Sequence, residues 1–352
     1  MEEMKNTKID KRGIFNEDGD LELSKRRIIQ GNTTNLNDFN NLKYNWTMDW
    51  YRQNMNNFWI PEEININQDI RDYKDLTEEE KFAFDRFIAS LSSLDSIQTS
   101  NLPNLQVYVT ANEINLCLSI ATFEETLHSE AYSHILATIT DSDNADYIMH
   151  LYENDEKILA RNEAVAEVYR DFLNDNNEFG FVKNLITNYI VEGLYFSSAY
   201  AFFYNFERSG KMTGLASVLK HINRDENKHL ELFRNMINDL RAERADLFTA
   251  EAISEYRQMI IDAAEAEIDM AEYLIGDKIE GINIEDLTAY IKFLANERAR
   301  GLAFELIYAG YMEIPASMTY IEEMAQISHS SVDFMEEKVA SHTTSSFIED
   351  DL

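Results

Sequence analysis

Apolar residues recur at spacings of three and four along most of the chain, which is the period of helices with a buried stripe. The densest stretch runs Ile114, Leu116, Cys117, Leu118, Ile120, Ala121, Phe123, Leu127, Ala131 and Ile135. A stripe that broad predicts a helix buried on most of its sides. No glycine or proline interrupts the chain between Pro103 and Gly180. A β-rich segment of that length would need a turn every 8–12 residues or so, so the interval reads as helix.

Thr77 followed by Glu78, Glu79 and Glu80 is a helix start. It combines a hydroxyl cap, acids in the first turn and a capping-box glutamate three residues on. Phe84, Phe87, Ile88, Leu91, Leu94 and Ile97 carry that helix toward Pro103. Further helices are expected over 144–174, 181–208, 213–244, 249–275 and 284–309, with Gly210 and Gly276 at helix ends. There is no internal repeat and no Pro/Gly/Ser linker. The expectation is one all-α domain over 41–327, preceded by an irregular arm over 1–40. A polar tail over 328–352 buries too little apolar surface to order alone.

Composition narrows the partners. The net charge is −33, from 31 basic against 64 acidic residues, and such a surface repels phosphate backbones and anionic lipid. Nucleic acid and membrane surfaces are therefore excluded as partners. No apolar run approaches a membrane span and the first residues lack a signal core, which points to a cytoplasmic protein. A single cysteine, Cys117, rules out an intramolecular disulfide and any cysteine-cluster metal site.

The chemistry lies in histidines and acids. Two histidines stand three residues after a glutamate, as Glu125-x-x-His128 and Glu226-x-x-His229. On a helix, positions i and i+3 share a face, so each pair offers an oxygen and a nitrogen to one metal ion. Glutamate is abundant enough for such pairs to arise by chance, but both lie in otherwise apolar helices, where unpaired ions are costly. Asp95 and Glu192 are lone acids in similar settings. Four helices carrying two lone carboxylates and two Glu-x-x-His pairs are the pattern of di-iron and di-manganese bundles with a ferritin-like fold. Tyr132, seven residues after Glu125, lies about 20° from it around an ideal helix and so faces the same way.

ASLSSLDSIQ, FEETLHSEAY, YIVEGLYF and INRDENKH resemble, in order and spacing, the four metal-binding helices of the class I ribonucleotide reductase small subunit. The resemblance spans roughly residues 40–340 and implies a ferritin-like bundle around a dinuclear centre of two iron ions, two manganese ions or a mixed pair. It implies that Asp95, Glu125 and His128 hold one ion and Glu192, Glu226 and His229 the other, with Glu125 and Glu226 bridging. It further implies that Tyr132 carries a stable radical, shielded by Phe196 and Ile222. Trp59 and Asp225 would form a transfer route from His128 toward a separate large subunit. Docking to that subunit would use the carboxyl terminus, where Phe347, Ile348 and Leu352 stand among acids. A homodimer and, with manganese, a flavodoxin-like activator complete the implied partners.

Two departures from the family stand out. No tyrosine or tryptophan follows Tyr320, and His342 stands near the site where the family has a redox-active tail tyrosine. Tyr200 occupies a position where the radical pocket generally has phenylalanine, which sets a second phenol beside the metals. The expected function is the generation and storage of an oxidising equivalent for ribonucleotide reduction. A di-iron acyl desaturase is the competing enzyme, but it gives no reason for Tyr132 or for aspartate at 95. A ferritin-like metal store is the non-enzymatic competitor, but such subunits are about half as long.

Overall fold

A computed structural model describes residues 7–325. Among them are twelve α-helices and no multi-residue strand. In chain order they are α1 Trp46–Asn56, α2 Asp69–Asp72, α3 Glu78–Gln106, α4 Asn112–Ile139, α5 Ser142–Met149, α6 Leu151–Asn154, α7 Glu156–Asp175, α8 Glu178–Leu194, α9 Ser197–Arg208, α10 Thr213–Glu243, α11 Ala250–Leu274 and α12 Ile284–Gly301. The fold is all-α and ferritin-like. Helices α3, α4, α8 and α10 form the central bundle, with α7, α11 and α12 outside it. No helix among the described residues is long and apolar enough to cross a membrane.

The Thr77 cap forms as its sequence predicts. Its hydroxyl accepts from the Glu80 N–H at 3.1 Å, and its own N–H donates to Glu80 Oε2 at 2.9 Å. Helix α3 runs through Pro103 and ends one turn later, since a proline in a last turn removes only one ladder bond.

Three expected helices differ from those found. The segment expected over 144–174 is split into α5, α6 and α7. Buried Asp155 turns its carboxylate onto the N–H groups of Lys157 and Ile158, so α7 starts afresh there. The helix expected over 181–208 breaks at Tyr195–Phe196. A buried ion pair serves the freed backbone groups: Glu267 accepts from the Ser198 N–H at 2.9 Å, and Arg161 donates to the Tyr195 carbonyl at 3.4 Å and to Glu267 at 2.9 Å. The last helix stops at Gly301, short of 309. Buried Asn296 there accepts from the N–H groups of Ile307 and Tyr308 and donates to the carbonyls of Tyr308 and Tyr311, which holds an irregular loop.

Before the bundle, α1 is fastened to α10. All three tryptophans donate to α10: Trp46 to Asp239 at 2.8 Å, Trp50 to the Lys228 carbonyl at 2.8 Å, and Trp59 to Asp225 at 2.7 Å. The described part of the 1–40 arm is irregular apart from a short 3₁₀ turn at Leu23–Lys25, and it buries Ile9, Ile28 and Ile29.

Candidate metal centre

Helical spacing brings the six ligand candidates to one place. Asp95 comes from α3, Glu125 and His128 from α4, Glu192 from α8, and Glu226 and His229 from α10. They form two groups, each with ligand atoms within 4.8 Å of one another: Asp95, Glu125, His128 and Glu226, then Glu125, Glu192, Glu226 and His229. Glu125 and Glu226 belong to both. All six are buried.

The two shared glutamates divide their oxygens between the imidazoles. Glu226 Oε1 lies 2.9 Å from His128 Nδ1, and its Oε2 lies 2.9 Å from His229 Nδ1. Glu125 does the same more loosely, at 3.9 Å from His128 and 3.2 Å from His229. Both histidines turn Nδ1 inward and Nε2 outward. Behind His128, Asp225 Oδ2 lies 3.4 Å from Nε2; behind His229, Glu124 Oε2 lies 2.9 Å from Nε2. The bracing is crossed, because the acid preceding each Glu-x-x-His pair supports the histidine of the other helix. A carboxylate at that position fixes ring orientation and makes the imidazole a better ligand.

The electrostatics are those of carboxylates crowded together in a buried site. Burial raises Asp95 and Glu192 well above the usual carboxylate range, and neighbouring carboxylates add to the rise. Burial and Glu226 push Glu125 up to about 7. Glu226 is the exception: burial opposes its charge, but the two histidines outweigh it and hold the acid well below its ordinary value. Both imidazoles are raised despite burial, His128 chiefly by Glu226 and His229 by bonds to Glu124, Glu125 and Glu226.

Unpartnered atoms test whether metal ions fit. Both oxygens of Asp95 and of Glu125, Oε2 of Glu192, Oε1 of Glu226 and Nδ1 of His128 are buried with no hydrogen bond of good geometry, although Glu226 and Glu125 lie close to the imidazoles and Asp95 to the Tyr132 hydroxyl. Orphaned buried oxygens on this scale cost about 1–3 kcal/mol each unless something binds them. A pair of divalent cations satisfies them and balances four carboxylates. The two groups fit a dinuclear metal site.

Tyr132 is 1% exposed, and its phenol is raised by burial, then by Asp95, then by Tyr200. Phe196 and Ile222 lie in the same apolar core. Tyr200 is also buried, and its hydroxyl has no partner. Its ring stacks on Tyr204 at 5.7 Å and meets Phe196 edge-on at 6.3 Å.

Trp59 lies 6.4 Å from the His128 ring, centroid to centroid, and donates from Nε1 to the Asp225 oxygen that faces His128. Arg224 donates to the other Asp225 oxygen. Over Trp59 a cavity of about 280 Å³ is rimmed by exposed Met55, Phe58 and Phe123.

Two site residues escaped the sequence reading. Glu124 carried a signal, since it precedes a Glu-x-x-His pair as Asp225 does. Gln98, which donates to Glu192 Oε1 at 2.5 Å, carried none beyond its place one turn after Asp95. Phe347, Ile348, Leu352 and His342 lie outside the described residues.

Comparison with known proteins agrees with this geometry. The family described as "Ribonucleotide reductase, small chain" matches residues 36–315. A ribonucleoside-diphosphate reductase subunit beta from Treponema pallidum (strain Nichols) is 46% identical over 346 residues, covering 98% of this chain and 99% of that protein. A solved ribonucleotide reductase R2 subunit from Clostridium botulinum superimposes with a TM-score of 0.88 at 40% identity, over 91% of this chain and 99% of that one. A dimanganese(II)-NrdF from Streptococcus sanguinis shares the fold, with a TM-score of 0.68 at 19% identity over 81% of this chain and 98% of its own.

Proposed function

The chain belongs to the ribonucleotide reductase small-chain family, and from that premise we propose that it makes and stores the oxidising equivalent that starts nucleotide reduction in a separate large subunit. It is an oxidoreductase subunit, and small subunits of this family work with a large one. The observation that carries the reading is the pair of carboxylate–imidazole groups sharing Glu125 and Glu226, with Tyr132 beside Asp95.

Asp95, Glu125 and His128 would hold one ion and Glu192, Glu226 and His229 the other, with Glu125 and Glu226 offering an oxygen to each group. When bound, a pair of iron or manganese ions supplies one-electron oxidising power drawn from oxygen, and the imidazole–carboxylate donor set suits either metal. The remaining work falls to the chain. Tyr132 stores the equivalent because its phenol is buried in apolar surroundings that exclude water and reductants. A phenol loses an electron readily only if its proton can leave, and Asp95 is the carboxylate acting most strongly on the Tyr132 hydroxyl. Tyr200 has no such acceptor, so its hydroxyl keeps its proton and the ring resists oxidation.

Trp59 and Asp225 form the way out. The indole N–H and the His128 imidazole meet at one carboxylate oxygen, and Trp59 lies just beneath the surface cavity. Docking is assigned to the carboxyl-terminal residues, with Phe347, Ile348 and Leu352 as apolar anchors. A homodimeric assembly, a cytoplasmic setting and, with manganese, a flavodoxin-like activator go with this reading.

Electron paramagnetic resonance on protein loaded with iron or manganese under oxygen tests the assignment. Tyr132→Phe should abolish a tyrosyl signal and leave the metal content intact; a tyrosyl signal surviving in that variant overturns the assignment. Deleting the last six residues should weaken large-subunit binding tenfold or more, about 1.4 kcal/mol, with metal content unchanged. Unchanged affinity would move the interface to the folded body.

A further inference from the structure

Glu192 differs from the other carboxylates of the site. Asp95 meets the Tyr132 hydroxyl and Glu125 the His229 imidazole, whereas Glu192 has one oxygen held by a side-chain amide and the other, Oε2, without a hydrogen bond. Its Oε1 accepts from Gln98 Nε2 at 2.5 Å. Gln98 is itself fastened: its Oε1 accepts from the Tyr169 hydroxyl at 2.7 Å, and its Nε2 also reaches Asn188 Oδ1 at 3.1 Å. Asn188 in turn donates to Asn184, and Asn184 exchanges amide bonds with Asn101. Every one of these residues is buried.

Chemistry fixes the direction of this chain. An ionised carboxylate, as a metal ligand must be, only accepts, so Gln98 presents its NH₂ group to Glu192 and Tyr169 donates to the amide oxygen. A flipped amide would set oxygen against oxygen at Glu192 and strand the Tyr169 proton. Turning Glu192 so that both oxygens face the metal site would leave a buried amide N–H without its acceptor, at about 1–3 kcal/mol.

We infer that Gln98 is a positioning residue that confines Glu192 to one free oxygen, Oε2, and that Tyr169 locks Gln98 in that role. The inference rests on the dinuclear reading given above. With one oxygen from Glu192 instead of two, an ion in the group that holds His229 would keep a coordination position open, as sites that bind small molecules require. In the other group Asp95 meets the Tyr132 hydroxyl, a phenol and not an amide tied in turn to further buried residues.

Cobalt(II) added to metal-free protein tests this without turnover, because visible cobalt absorption weakens as donors are added to the ion. Wild type should take up two equivalents. Gln98→Leu should also bind two, but with absorption roughly twofold weaker for one of them, as Glu192 turns its second oxygen inward. Tyr169→Phe should change the spectrum in the same direction and by less, since the donor remains but its anchor is gone. Should Gln98→Leu fail to fold, the Tyr169→Phe spectrum decides. Wild-type spectra in a variant that binds two equivalents overturn the positioning role and leave the dinuclear reading standing. Fewer than two equivalents in wild type overturn that reading, and the inference with it.

Discussion

The two Glu-x-x-His pairs are alike in sequence and helix geometry, yet the carboxylates behind their imidazoles are not. Asp225, behind His128, also accepts from the Trp59 indole and from Arg224. These partners outweigh burial and hold its carboxyl below the ordinary range. Glu124, behind His229, has that imidazole as its one hydrogen-bonded partner among the described residues, and burial leaves its carboxyl raised. One brace is thus a fixed anion tied to a tryptophan near the surface. The other is an acid bonded to the imidazole alone, although it lines the same cavity as Trp59 and Asp225. A motif sets which residues are candidate ligands, but the groups behind them set which imidazole is tied to a tryptophan.

The most severe way to break this comparison is at the shared ligands. Glu226→Ala should remove both ions, because Glu226 contributes an oxygen to each group, whereas Glu192→Ala should remove one. Metal analysis of the purified variants reads the stoichiometry, and equal losses would show that Glu226 is not shared.

The braces come next. Asp225→Ala and Glu124→Ala should each weaken one ion about 10–100-fold, the usual effect of losing a carboxylate behind a ligating histidine. The affected ions should differ: the one at His128 for Asp225→Ala, the one at His229 for Glu124→Ala. Only the first variant should red-shift tryptophan fluorescence, since only it releases Trp59. Loss of the same ion in both variants would refute the crossed bracing.

The smallest effect comes from an acid remote from the centre that shows burial acting without a metal. Asp85 accepts from the Tyr73 hydroxyl at 2.8 Å, and burial pushes it up to about 6. A folded value above the unfolded one means that its contribution is full below about pH 4 and is lost as pH rises through 6. Asp85→Asn keeps an oxygen for Tyr73 and has no charge to bury. Its stability relative to wild type should therefore improve by about 1 kcal/mol between pH 5 and pH 8. Melting curves at the two pH values check this, and an advantage that shrinks on raising the pH would contradict it.

Spacing along the chain was enough for the helical class, the Thr77 cap, the two Glu-x-x-His pairs and the candidacy of Asp95, Glu192 and Tyr132. These follow from spacing on single helices: i and i+3 share a face whatever surrounds them, and apolar flanks reveal that the face is buried. Tertiary structure alone decided which acid braces which histidine, because Glu124 and His229 lie on separate helices, 105 residues apart in sequence. It also decided the break at Tyr195–Phe196, since the ion pair serving that break joins Arg161 on α7 to Glu267 on α11. Gln98 reads in sequence as an ordinary polar helix residue, and only the packing of α3 against α8 sets its amide on Glu192. Periodicity records what a helix must bury; the partner of each buried polar group is chosen by whichever helix packs against it.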